Sequence, residues 1–460
     1  MIAINVYNPA KPSEVVWTGN ETGIETIPTM LSKAKAAQKS FAHLSGRQRY
    51  TIISNFLDAL EKRSSDIAER MILEQGKLAG EAAGEVAKSL TEARWMLGRC
   101  LEQVGEVMAS MRPDVKAMKL RRPRGVILAI TPWNFPILTP LRKVIPALVF
   151  GNAIVLKPSS DAPGAATILY DVACETLPAH LVTILYGGSK VANAAILSED
   201  IAAVTFTGST DVGKLVMASA AQGLKEVSLE LGGKNAVIVH DPENLDAALE
   251  HIVRSAFANA GQRCTAVSRV LAHEKIRHDV IEGLKRRIAT LRPGAGHDAR
   301  STLAPLSTKG QFEKVASVVS DLQPAQASIL IGGKPAKNDN GGYFFEPTLV
   351  EVHEKDCFLN TEEVFGPLLG LEFYQDVQEA IERVNDTPYG LSASVFASSL
   401  SVVRAFEEGI ETGMLHINHG TFPDENMPFG GWKASGIGAA SVGAEAAQFF
   451  TRVQAVYEGL

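Results

Sequence analysis

The chain has 460 residues, 46% hydrophobic and 21% charged, with 45 Lys+Arg against 51 Asp+Glu and a net charge of −6. That composition is ordinary for a soluble globular enzyme, and the length exceeds what one hydrophobic core normally supports, so at least two lobes are expected. The acidic balance argues against a nucleic-acid-binding protein, which carries a basic excess.

The opening residues MIAINVYNPAKPSEVV lack a basic stretch followed by an apolar run, so no signal peptide is expected. From about Ile24 to Gly105 the chain reads mostly as helix: Ile53, Phe56, Leu57 and Leu60 recur at helical spacing, with Asp58, Glu61, Lys62 and Arg63 elsewhere on the wheel. From Arg124 the texture changes to short apolar runs, Val126–Ile130, Ala153–Leu156, Val182–Leu185 and Ala203–Phe206, separated by helical stretches such as Ala162–Leu177 and Ala192–Leu197. Continuous apolar strands alternating with helices predict a parallel sheet covered on both faces. Such a doubly wound lobe binds ligands beyond the carboxyl ends of its strands. A second cycle runs through Asn235–Val239, the helix Leu245–Ala260, the strand Val267–Ala272 and the helix Asp279–Leu291. Residues 332–342 read as a surface loop, and Phe449–Tyr457 as an edge strand. The most apolar region, 125–156, is interrupted by Pro132, Pro136, Pro140, Arg142, Lys143 and Pro146, so a membrane span is not expected.

The four cysteines, Cys100, Cys174, Cys264 and Cys357, form no CxxC pair and have no His pair at metal spacing. Neither a disulfide framework nor a metal site is expected, and a reducing cytoplasm is the expected location.

Six segments carry chemistry-bearing residues. Cys264 follows a predicted helix beside Gly261 and Arg263, where small neighbours leave the sulfur accessible and a cation favours the thiolate. Glu230 precedes a Gly-Gly turn that lets the backbone pass close to a ligand. Asn134 lies in Thr131-Pro-Trp-Asn-Phe-Pro136, where its amide can face a developing oxyanion. The run Phe206-Thr-Gly-Ser209 to Lys214-Leu215 almost matches a phosphate-binding P-loop, but Leu215 has no hydroxyl for magnesium, so the strand–Gly–helix geometry is read as a ligand-phosphate turn instead. Glu362-Glu363 and the Gly-rich 428–436 complete the set. Each is ambiguous alone: a lone Cys is commonly a small buried hydrophobe, a lone Glu a surface residue and a lone Asn a turn residue.

The ordered set PWNFP, LKPS, FTGST, ELGGK, GQRC, EEVFGP and PFGGWKASG resembles the aldehyde dehydrogenase superfamily from about Tyr7 to the end of the sequence. That resemblance implies a Rossmann-like cofactor lobe at 1–104 and 124–231, an α/β catalytic lobe at 232–446, and a small β flap for oligomerisation at 105–123 and 447–460. It implies oxidation of a small-molecule aldehyde to an acid with NAD or NADP. Cys264 would be the nucleophile, Glu230 the general base, and Asn134 with the Cys264 N–H the oxyanion hole. The implied cofactor residues are Ile130, Thr131, Pro132, Trp133, Lys157, Ser159, Ser160, Gly188, Phe206, Thr207, Gly208, Ser209, Leu231, Gly232, Glu363 and Phe365. A homodimer or homotetramer is expected.

The chain departs from many relatives at two motif positions. Ser160 stands where NAD-preferring members often carry Glu, so NADP is expected to be accepted. Ala439 and Ala440 replace a common Arg-Glu, so a side-chain relay there is not expected. Arg142 is a candidate for a substrate carboxylate and Phe429 for the substrate wall, favouring a small polar aldehyde or semialdehyde of succinate-semialdehyde, lactaldehyde or glycolaldehyde type. An aromatic aldehyde and a CoA-acylating semialdehyde reaction remain the alternatives.

Overall fold

The run Val126–Ile130 forms a strand whose residues are all buried, and Ala153–Lys157 another. A parallel strand packed on both faces has no wet side, which is why these runs do not alternate. In the computed structural model, which describes residues 2–102 and 104–459, they belong to a 6-stranded sheet. Its spatial order is Gly436–Ile437, Glu226–Glu230, Ile201–Thr207, Val126–Ile130, Ala153–Lys157, Val182–Ile184. Only the Gly436–Ile437 edge is antiparallel. The chain leaves Val126–Ile130 to one side and returns at Ile201–Thr207 on the other, so the strand order reverses there and a crevice opens at the carboxyl ends. Register sharpens this. Ile130 pairs with both Lys157 and Phe206, and Thr207 with Glu230, so the segments bearing the expected cofactor residues emerge along one line.

A 7-stranded sheet lies in the order Ala327–Ile331, Thr348–Val352, Leu368–Tyr374, Val267–His273, Asn235–Asp241, Ser392–Ala397, Met414–Ile417. It is parallel except at Ala327–Ile331. The fold is therefore α/β with a Rossmann-like lobe and a second α/β lobe. A third sheet of 3 antiparallel strands joins Gly105–Met108, Val115–Pro123 and Thr451–Gly459.

Several expected elements have different bounds. Before Ile24 the chain forms a hairpin, Ala3–Asn8 with Lys11–Asn20, whose residues alternate in exposure as a half-wet strand does. The helical stretch divides into Ile27–Ala42, Gly46–Glu61, Ser64–Gln75 and Ala79–Leu97. Ser45 and Gln48 form a reciprocal capping box that starts the second, and Gly76, at φ 84°, ends the third in the left-handed region. The helix from Leu245 stops at Phe257, short of the expected Ala260, because Asn259 and Ala260 turn left-handed with φ 54° each. The tail begins as a short helix, Ala446–Phe450, in which Phe449 and Phe450 pack into the core, and the strand starts only at Thr451.

One buried amide ties the tail to the Rossmann sheet. Asn152 Oδ1 accepts from the N–H groups of Arg124 and Gly125, while its Nδ2 donates to the carbonyls of Ala147 and Phe450. Asn152→Ala leaves these buried groups unpaired and is expected to cost about 1–3 kcal/mol. Chemical denaturation checks this; an unchanged midpoint would show that the four bonds are replaceable.

Candidate active site

A cavity of about 770 Å³ opens between the strand ends of the Rossmann sheet and the loop that carries Cys264. Asn134, Glu230 and Cys264 all line it. Cys264 precedes the strand Val267–His273, and its loop is shaped by the left-handed pair Asn259 and Ala260 and by Gly261 at φ 71°. A Cβ at Gly261 would lie 2.2 Å from the carbonyl oxygen of Gly366, so only glycine lets this loop close on the Phe365 segment. Asn259 pins the turn: its N–H donates to Glu81, its Oδ1 accepts from Gln75 at 3.0 Å, and its Nδ2 donates to the Gln262 carbonyl. That carbonyl also accepts from Asn134 Nδ2 at 3.0 Å, joining the two loops. Among the described residues the Cys264 N–H donates to no other group, which leaves it available to an incoming oxyanion.

Glu230 ends a parallel strand and is buried. Its carboxylate accepts from Thr207 Oγ1 at 3.0 Å and from Ser441 Oγ at 2.8 Å. The Cys264 thiol is pushed up to about 11, first by burial and then by the Glu230 carboxylate, with Arg142 and Arg263 pulling the other way. The resting sulfur is therefore protonated at neutral pH. Beneath Asn134, Lys77 Nζ donates to the Asn134 carbonyl at 2.9 Å, pairs with Glu85, and lies 4.4 Å from the Phe135 ring centroid. Glu85 in turn accepts from the N–H groups of Ile137 and Leu138. This buried pair fixes the loop shape.

The expected cofactor residues fall into two groups. Pro132, Trp133, Thr207, Gly208, Ser209, Leu231, Gly232, Glu363 and Phe365 line the cavity with the thiol. Ser209 caps the helix Thr210–Ala221, leaving a helix N-terminus at the strand end. Gly232 passes under Glu363, where a Cβ would lie 2.6 Å from Glu363 Oε2, and the same carboxylate accepts from the Gly233 N–H at 3.1 Å. Trp133 and Phe365 meet edge to face at 5.6 Å. The second group lies along the strand ends. Ile130 and Phe206 are buried floor, and Thr131 Oγ1 is buried without a hydrogen-bond partner among the described residues. Lys157 Nζ reaches only the Pro158 carbonyl, and burial lowers its pKa to about 8. Ser159 bonds Asp161, Ser160 is half-buried, and the Gly188 N–H donates to Glu21.

The aldehyde dehydrogenase family model matches residues 2–456. The chain belongs to the aldehyde dehydrogenase family. It is 33% identical over 462 residues to an alpha-ketoglutaric semialdehyde dehydrogenase of Bacillus subtilis, covering 99% of this chain and 94% of that protein. It is 34% identical to the NADP(+) succinate-semialdehyde dehydrogenase of Escherichia coli, covering 95% and 90%. The crystal structure of an NADP-dependent enzyme of Escherichia coli superposes with TM-score 0.96 at 32% identity, over 100% of this chain and 95% of that one. A betaine aldehyde dehydrogenase of Staphylococcus aureus in complex with NAD+ does so with TM-score 0.96 at 27% identity, over 100% and 92%.

In this aldehyde dehydrogenase family member the two expected substrate residues share the far wall. Arg142 lies 4.7 Å from the Phe429 ring centroid, but Glu92 accepts from its Nε at 2.7 Å and its Nη2 at 2.8 Å. The guanidinium charge is thus already matched. Ser441, Lys77, Glu85, Gln75 and Glu81 escape a motif reading because the site segments they bond are 52 to 211 residues away. Only the departure at Ala439-Ala440 draws attention to the stretch that delivers Ser441.

Because the Glu230 carboxylate raises the thiol pKa, Glu230→Gln is expected to shift the alkylation profile of apo Cys264 to lower pH. Iodoacetamide labelling against pH measures it. A shift to higher pH would mean that Glu230 stabilises the thiolate.

Proposed function

We propose that this chain oxidises a semialdehyde, an aldehyde bearing a carboxylate, to the acid by covalent catalysis at Cys264. The observation that carries the reading is one cavity holding Cys264, Glu230 and Asn134 beside the glycine cradle Gly208–Gly232. The semialdehyde relatives support the substrate class.

The strand-end groups suit a dinucleotide. The orphaned Thr131 hydroxyl, the lone Lys157 ammonium, the helix N-terminus at Ser209 and the Gly233-held Glu363 offer donors and acceptors for ribose and phosphate. When bound, a nicotinamide dinucleotide supplies the hydride acceptor. The residues do the rest. Glu230 takes the Cys264 proton, directly or through a water. The sulfur then attacks the aldehyde carbon, and the Asn134 amide and Cys264 N–H hold the resulting oxyanion. A tetrahedral alkoxide expels hydride far more readily than a neutral hydrate, so the adduct must form first. Loss of hydride leaves a thioester on Cys264. After Glu230 has released that first proton to solvent, it deprotonates the water that hydrolyses the thioester and passes the proton to the departing Cys264 thiolate, which returns the thiol and releases the acid. Thr207 and Ser441 hold the Glu230 carboxylate by neutral hydroxyl donors.

Ser160 places no carboxylate at its position near Lys157, and we propose that NADP is accepted. The sheet of Gly105–Met108, Val115–Pro123 and Thr451–Gly459 exposes Val107, Met108, Val453 and Tyr457, and we propose it as a self-association surface for a dimer or tetramer. Among the described residues no helix is long and apolar enough to cross a membrane.

Cys264→Ala is expected to abolish turnover while cofactor binding, followed by fluorescence quenching, persists; residual dehydrogenase activity would overturn the covalent route. Asn134→Ala is expected to lower kcat by about 10²–10³; a loss below about threefold would make Asn134 structural. Lys157 is protonated below a pKa of about 8, so kcat/KM for NADP should fall as pH rises through that value. A profile for NADP parallel to that for NAD would remove Lys157 from 2′-phosphate recognition.

A further inference from the structure

Glu230 is buried, yet as the proposed base it must pass a proton to solvent before the thioester is hydrolysed. Two hydroxyls touch its carboxylate, and they lead in different directions. Thr207 Oγ1, at 3.0 Å, belongs to the wall of the large cavity that also holds Cys264. Ser441 Oγ, at 2.8 Å and fully buried, belongs to the wall of a second cavity of about 20 Å³. Arg142 lines both cavities and stands between them.

The small cavity is polar. Ser89, Glu92, Arg142, Glu425 and Ser441 all contribute to its wall. A space of that size and polarity admits one water, which bonds about two to four polar groups. Most of these groups are committed. Both Glu92 oxygens accept from Arg142, at 2.7 and 2.8 Å. Ser89 Oγ donates to the Glu85 carbonyl at 2.6 Å. Glu425 differs: its side chain is 34% exposed and lies 3.7 Å from the Lys88 ammonium. Its carboxylate therefore meets the cavity on one side and solvent on the other.

A serine hydroxyl both donates and accepts. While Glu230 is ionised, Ser441 donates to it. Once Glu230 is protonated, the Ser441 oxygen can accept from it and turn its own hydrogen toward the cavity. Ala439 and Ala440, just before it, have no proton to pass.

We propose that Ser441 is a positioning residue that also relays the proton of Glu230, through one water in the small cavity, to Glu425 and the surface. The Glu230 proton passes to Ser441 Oγ as the Ser441 hydrogen passes to the water. The water gives a proton to the Glu425 carboxylate, which loses it to bulk solvent. Glu230 is thereby a carboxylate again, ready for thioester hydrolysis, while the large cavity stays filled. This rests on the covalent reading above and deepens it.

The test separates proton uptake by Glu230 from proton release. 4-Nitrophenyl acetate acetylates a nucleophilic thiol and frees nitrophenolate in a first phase, and hydrolysis of the acetyl thioester sets the later steady rate. The full chain is assayed with saturating NAD or NADP, so that the large cavity is occupied. Ser441→Ala should keep the rate and amplitude of the first phase and lower the steady rate by about tenfold. Glu425→Gln, at the surface end, should lower the steady rate alone by about threefold, and it decides the matter if Ser441→Ala does not fold. An equal fall of both phases in Ser441→Ala would leave Ser441 only an anchor for Glu230 and overturn the relay. A steady rate unchanged in either variant would also overturn it, by sending the proton out another way. A wild type in which mass spectrometry finds no acetyl group on Cys264 would instead overturn the covalent reading itself.

Discussion

The hydrogen bond from Asn134 Nδ2 to the Gln262 carbonyl is the point at which two lobes become one site. Asn134 belongs to a loop leaving the Rossmann sheet, and Gln262 to the turn that presents Cys264. Each loop is held from behind by mostly buried side chains. Lys77 and Glu85 brace the first, and Glu81 and Gln75 brace the second through Asn259. Both sets of braces come from the same N-terminal helical layer, on either side of Gly76. Gln262 adds its own ties to Asn259, Pro305 and Ser307. A layer without a reactive group thus sets the placement of the oxyanion donor against the nucleophile, and such placements matter at the scale of an ångström.

Charge is distributed in the site by chemistry. Glu230, the proposed base, is held by two hydroxyls. Arg142 is matched by Glu92, and Lys143 is buried against Thr205 with its pKa lowered by burial. The thiol is left protonated by burial and by its acidic neighbour. In a low-dielectric cavity an unmatched charge is expensive, which is why Glu92 beside Arg142 and Thr205 beside Lys143 matter.

Much of this was legible in the sequence. The continuous apolar runs named four of the six strands of the Rossmann sheet, because a strand buried on both faces is mostly apolar and does not alternate. The spaced motifs identified Cys264, Glu230 and Asn134, which one cavity brings together. Other features were hidden. The N-terminal hairpin alternates too weakly to stand out from its loop-like composition, and the helix before Cys264 looked longer because Ala258 and Ala260 favour helix while the turn is imposed by partners in another segment.

The sequence by itself determined the family, the order of the elements and the candidates for the reacting groups, since these depend on residue type and local spacing. Only the tertiary structure decided which charges are spent and which remain. Arg142 is a candidate for a substrate carboxylate by residue type, but Glu92 lies 50 positions away in the chain and matches its charge. Electrostatic matching depends on distance in space, and a bridge across fifty or two hundred residues leaves no mark in the local pattern.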